Sequence, residues 1–187
     1  MQLEHLLAWI ANEPWAINPA KAQEILAYLE ARAIGGDSAG GGESAQKLHP
    51  SRERSLRNRD GAVAVIALHG IMAQRRMPGA STGGTSTEAV GRDVGKAAAD
   101  LSIKTIILDI DSPGGSVAGT RELAARVRDA RDIKPVIAQV DSIAASAAYW
   151  VASQATELVS TPGGAVGSIG VIAVHEDIEG RLEQRGI

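Results

Sequence analysis

Two short stretches hold the residues whose types and spacing suit acyl-transfer chemistry. One is 144–148, A-A-S-A-A, in which Ser146 follows an apolar run at 135–140 that reads as a strand. Alanine is the best helix former, so Ser146 is placed at or near the first turn of a helix leaving a sheet. Its small neighbours would let another backbone, such as a peptide, come close to the hydroxyl. A serine among alanines is also an ordinary packing residue, and this stretch alone does not separate the two roles. The other stretch is 112–115, S-P-G-G, at the end of a second apolar run. Glycines expose backbone N–H groups that no side chain shields, and a following helix aims its positive end at the same place. Such a turn can hold an anion. A plain tight turn or a phosphate cradle would use the same residues, although neither a G-K-[ST] ending nor G-x-G-x-x-G occurs here. An anion hole beside a helix-borne serine is what acyl transfer requires, because donors must face the charge that develops in the tetrahedral intermediate.

The elements that must position these groups follow from periodicity. Continuous apolar runs at 63–68, 105–110 and 135–140 predict strands buried on both faces, 157–160 a short fourth strand and 168–174 a fifth. Helices are expected over 86–100, 117–131, from Ser146 onward, and 176–185. Strand and helix alternate, the pattern of a mostly parallel sheet covered by helices, and in such sheets sites form where strands give way to helices. Upstream, Leu3, Leu6, Leu7 and Ile10 recur at helical spacing up to Pro14, and Asn18-Pro19 opens a second helix carrying Ile25, Leu26 and Leu29. The expected organisation is a helical appendage at 1–34, a Gly/Ser-rich and then basic linker at 35–60 (Arg52, Arg54, Arg57, Arg59), and an α/β domain at 61–187.

Composition narrows the chemistry. The 187 residues contain no Cys, which removes disulfides, thiolate catalysis and Cys-based zinc sites. With no Phe and 3 % aromatics, a stacking surface for single-stranded nucleic acid is not expected, and a net charge of −3 provides no general field for polyanions. The N-terminus lacks the basic run of a secretory signal, and no apolar stretch reaches the roughly 20 residues that span a bilayer. No metal or cofactor is expected, and the protein as given is expected to be soluble.

Taken together, L-D-I-D-S-P-G-G-S-V (108–117), A-A-S-A-A-Y (144–149) and G-S-I-G-V-I (167–172) resemble the S49 peptidases, the SppA-type signal peptide peptidases and the related phage capsid or prohead proteases. The resemblance implies a ClpP/crotonase-like repeated βα core and assembly into homo-oligomers. It also implies a protein or peptide substrate and the host cytoplasm or assembling prohead as the setting. It puts the nucleophile on Ser146 and the oxyanion donors on the backbone of Gly114 or Gly115 and of Ala147. Members of the family pair the serine with a buried neutral lysine. Here Lys21, Lys47, Lys96, Lys104 and Lys134 all precede the serine, so the base is expected beyond Ile187, the chain being cut before it and little active by itself. His175, with Asp177 or Asp141 as orienter, is the alternative base, although a surface histidine is the plainer reading. His69 is expected to shape a subsite rather than to catalyse. A helical appendage in place of a membrane anchor favours the phage-type maturation protease. SppA-type signal peptide degradation, a crotonase-type acyl-CoA enzyme and an inactive structural capsid module are the alternatives.

Overall fold

The computed structural model describes residues 14–17, 23, 56–57, 63–75, 84–173 and 186. Three apolar segments form the spine of an α/β core: β3 (Val63–His69), β6 (Thr105–Ser112) and β8 (Val136–Ala145), hydrogen-bonded in parallel in the order β8-β6-β3. The antiparallel β2 (Leu56–Arg57) adds beyond β3. On the far edge of β8, β9 (Glu157–Ser160) pairs with its first half and β10 (Ala165–Gly167) with its last residues. A second sheet runs in the order β1 (Trp15–Ile17), β7 (Gly114–Ser116), β4 (Met72–Ala73), β5 (Thr85–Ser86).

Alternation along the spine strands sends one set of side chains into the core. Ile66, Leu68, Ile106, Leu108, Ile110, Val136, Ala138 and Val140 are buried, and the residues between them are half-buried. Two helices cover the buried face. In α1 (Thr87–Ala99), Val90, Val94, Ala97 and Ala98 recur at helical spacing and point inward; in α2 (Thr120–Arg131), Leu123, Ala124, Val127 and Ala130 do the same. Ser86 caps α1 by accepting the Ala89 N–H at 3.2 Å. Where the two helices cross, a Cβ at Gly91 would lie 2.8 Å from the Arg126 side chain, so the glycine permits close approach. A third helix, α3 (Ala147–Ala152), buries Ala147, Ala148, Val151 and Ala152.

The α/β class, the parallel spine and the strands at 63–68, 105–110, 135–140 and 157–160 agree with the sequence expectation. Two segments differ. The expected strand at 168–174 is replaced by β10 at Ala165–Gly167, and 168–171 carry no regular structure. Ser168 takes φ +53, which turns the chain out of the sheet, and Ile169 and Val171 are exposed. The S-P-G-G glycines do not sit at a helix N-terminus. They form β7 inside the second sheet, and α2 starts four residues later, after Gly119 at φ +79. Of the expected N-terminal helices, only Gln23 is described, and it is helical; the rest of them and the 176–185 helix lie outside the described residues, as does the 35–60 linker except Leu56–Arg57, which form β2 on the edge of β3.

Candidate active site

Ser146 stands at the junction of β8 and α3, 6 % exposed, with φ +52 and ψ −111. An L-residue with a Cβ meets steric resistance in that region, at a cost of about 1–3 kcal/mol, and such strain persists only where its surroundings impose it. Here they are fully specified. The Ser146 N–H donates to the Gly167 carbonyl at 2.7 Å, its carbonyl accepts the Trp150 N–H at 2.9 Å, and its hydroxyl donates to the Gly170 carbonyl at 3.1 Å. Ala144, Ala145, Ala147 and Ala148 around it are buried. The sharp strand-to-helix turn presents the hydroxyl at the end of the strand, the arrangement of a nucleophile elbow. Ala147 opens α3, and the first N–H groups of a helix have no partner within it.

The S-P-G-G turn comes to the same place. Ser112 pairs with Ala144 across the β6–β8 ladder, after an irregularity between Ile110 and Ser112. Gly114 has φ +102, and a Cβ on it would lie 2.9 Å from the Ala145 carbonyl oxygen, one residue before the serine. At Gly115 a Cβ would fall 1.9 Å from the Met72 carbonyl oxygen. Both positions therefore require glycine for close backbone approach. Buried Ser112 fixes the turn: its hydroxyl donates to the Gly70 carbonyl at 2.6 Å and accepts the Gly114 N–H at 3.2 Å. Sequence reasoning passed over this serine, although its place in the same motif was a signal.

Polar groups gather on the same end of the sheet. The His69 imidazole lies 3.1 Å from the Asp109 carboxylate. The adjoining Asp109 carboxylate raises the His69 pKa above its ordinary value, with Asp111 and Asp141 adding attraction against a lowering by burial. Ser142 donates to Asp111, and Thr161 donates to the Asp141 carbonyl. His69 is thus tied to a carboxylate on the neighbouring strand, and its carbonyl accepts the Thr85 hydroxyl at 2.6 Å.

The described lysines are engaged elsewhere. Lys134 donates to the carbonyls of Ala97, Asp100 and Ile103 at 2.8–2.9 Å, closing the end of α1. It precedes β8, and that strand at about 3.3 Å per residue carries the chain roughly 30 Å to Ser146. Lys96 lies 3.8 Å from Asp93, and Lys104 donates to the Leu101 carbonyl at 3.2 Å. Lys21, Lys47, His175 and Asp177 lie outside the described residues. No group of three or more His, Cys, Asp or Glu fit to hold a metal occurs among the described residues, and no helix among them is long and apolar enough to cross a membrane.

Residues 128–187 match Peptidase family S49. Across 99 % of its length the chain is 31 % identical to the capsid assembly protease C of Escherichia phage lambda, covering 46 % of that protein. It is 29 % identical to the head-tail preconnector protein GP5 of Enterobacteria phage P21, over 99 % of the chain and 40 % of the relative. Protease 4 of Salmonella typhi is 36 % identical over 68 % of the chain and 20 % of its own length. The chain thus spans less than half the length of these curated relatives. Among solved structures, a mutant membrane-bound stomatin-specific protease in complex with a substrate peptide aligns at 18 % identity and TM-score 0.46, covering 65 % of this chain and 55 % of that one. An enoyl-CoA hydratase/isomerase family member aligns at 11 % identity and TM-score 0.44, over 57 % and 46 %.

Proposed function

The chain belongs to peptidase family S49, and from that premise we propose that it carries the nucleophile and oxyanion-binding half of a serine endopeptidase site. The observation that carries the reading is the backbone of Ser146, held at φ +52 and ψ −111 against the S-P-G-G turn. Strain of that kind, in a residue whose neighbours are all small, is what presenting a hydroxyl to an incoming peptide demands.

The Ser146 hydroxyl attacks the scissile carbonyl, and its proton passes to a base. The negative charge that develops on the carbonyl oxygen is met by the backbone N–H groups of Gly115 and Ala147, since the Gly114 N–H is held by the Ser112 hydroxyl at 3.2 Å. Collapse of the tetrahedral intermediate releases the amine, which takes up the proton, and leaves an ester on Ser146 that water then hydrolyses. The base in this reading is a lysine kept neutral by burial. Lys96, Lys104 and Lys134 are unsuited to this role, each being bonded away from the serine.

For the substrate, we favour a capsid or scaffold protein over signal peptides. The phage protease aligns with 99 % of the chain, the N-terminal segment included, whereas Protease 4 aligns with 68 %. Cleavage would then take place in the host cytoplasm or the assembling prohead, by a homo-oligomer with a ClpP/crotonase-like core. In a form of the protein that cleaves, a fluorophosphonate probe tests the nucleophile, with peptide mapping to locate the adduct. Labelling is expected on Ser146 alone; a mapped adduct on another serine contradicts the assignment.

A further inference from the structure

The spine sheet is built from residues 63–145, yet its neighbour contains a strand from far upstream. Residues 15–17 form β1, which lies antiparallel on β7 with Trp15 opposite Ser116, Ala16 opposite Gly115 and Ile17 opposite Gly114. The Val117 N–H donates to the Pro14 carbonyl at 3.1 Å and continues that ladder. The other edge of β1 is also bonded. Trp15 donates to the Ile172 carbonyl at 2.9 Å, and Ile172 donates back at 2.8 Å. Four residues are thus held between S-P-G-G-S and G-S-I-G-V-I, the two motifs flanking the candidate nucleophile.

One end of this slot meets the site. The point where a Gly114 Cβ would lie is 2.4 Å from the Ala16 carbonyl oxygen, 2.9 Å from that of Ala145 and 3.1 Å from the Ile17 Cα. Glycine at 114 therefore lets β1 come against the backbone that leads into Ser146. Trp15, Ala16 and Ile17 are all nearly fully buried. Successive side chains of an extended strand point to opposite faces, so Trp15 and Ile17 fill one side of the slot and Ala16 the other.

We propose that residues 14–17 are an internal occupant of the peptide-binding slot, closing the site in cis, and that the slot takes an extended peptide running antiparallel to β7. The inference rests on the serine peptidase reading for what the slot serves, but not for what it binds. Main-chain bonds on both edges give affinity of the strand-addition type, and alternate side chains give selectivity for an apolar-small-apolar sequence. A tethered segment competes at about millimolar effective concentration, so a free peptide enters poorly until the segment is displaced.

The test uses the full chain and a fluorescent peptide of residues 12–19 (N-E-P-W-A-I-N-P), with binding followed by anisotropy. The double variant W15K/I17K puts two charges where the slot is apolar and is expected to release β1. It should bind the peptide at least tenfold more tightly than the unchanged protein does. In hydrogen exchange, the Val117 and Ile172 amides should lose protection in the variant and regain it when peptide is added, while β3, β6 and β8 stay protected. Peptide binding no tighter in the variant overturns the proposal, as does loss of protection throughout the spine, which would make β1 an integral part of the core. Tight peptide binding by the variant, together with scaffold cleavage that Ser146→Ala leaves unchanged, would count against the peptidase reading and leave the slot standing. Labelling of Ser146 without peptide binding would do the reverse.

Discussion

The two ends of the parallel sheet are finished in opposite ways. At the end where β8 begins, Lys134 puts one ammonium group on three carbonyls, those of Ala97, Asp100 and Ile103. Backbone groups that the end of α1 leaves unpaired are answered there by a single long side chain. At the end where β8 finishes, Ser146 sits at φ +52, Gly114 at φ +102, and the hydroxyl of Ser146 is held by one carbonyl at 3.1 Å. Polar side chains converge there as well, with His69 on Asp109 and Ser142 on Asp111. One end is closed for stability, and the other carries strain and reactive groups. That division is what a scaffold with its site at the strand C-termini requires.

Substitutions at the two ends should therefore move different quantities. Lys134→Met keeps the aliphatic stem and removes the three charge-assisted bonds. It should lower unfolding free energy by about 2 kcal/mol in urea denaturation, with Ser146 still labelled by the fluorophosphonate probe. An unchanged midpoint would mean that the ammonium does not close α1. Ser146→Gly should have the opposite sign, because glycine adopts φ +52 freely. A gain of about 1 kcal/mol is expected after the extra entropy of the unfolded glycine is counted. A loss of stability there would contradict the strain. The smallest effect belongs to His69. Its pKa is raised in the folded state, so its contribution is fully present below the ordinary value of 6.5 and fades as pH rises through the higher folded value. The two side chains are 41 % and 31 % exposed, and solvent screening keeps the contribution below about 1 kcal/mol. Denaturation at pH 5.5 and 8.5 should show Asp109→Asn destabilised at the lower pH and closer to the unchanged protein at the higher. An equal deficit at both would remove the pair from the account.

Much of this was legible in the sequence, for identifiable reasons. Buried parallel strands write themselves as continuous Val, Ile and Leu runs, so β3, β6 and β8 could be placed within a few residues. Ser146 was findable because small residues surround it at a strand-to-helix junction. The role of the glycines was only half visible. Their need for close approach follows from residue type, but their partners, the Met72 and Ala145 carbonyls, come from other strands. That is also why they turned out to form a strand rather than a helix N-terminus. β1 was invisible, since Trp15-Ala16-Ile17 has no periodicity of its own, and only pairing with residues about a hundred positions away makes it a strand. The segment at 168–171 was misread because Ile and Val predict a strand, while Gly167 at φ +121 and Ser168 at φ +53 take the chain out of the ladder.

The central claim is that Ser146 performs the chemistry and Lys134 only supports the fold. The most direct test places Ser146→Ala beside Lys134→Met in a form of the protein that cleaves, and compares their cleavage of a scaffold-protein substrate with that of the parent. Removing a catalytic nucleophile costs at least about 10³-fold in rate, so Ser146→Ala should fall by that much with an unchanged fold. Lys134→Met should cleave at close to the parental rate below its melting temperature. Cleavage retained in Ser146→Ala would contradict the account.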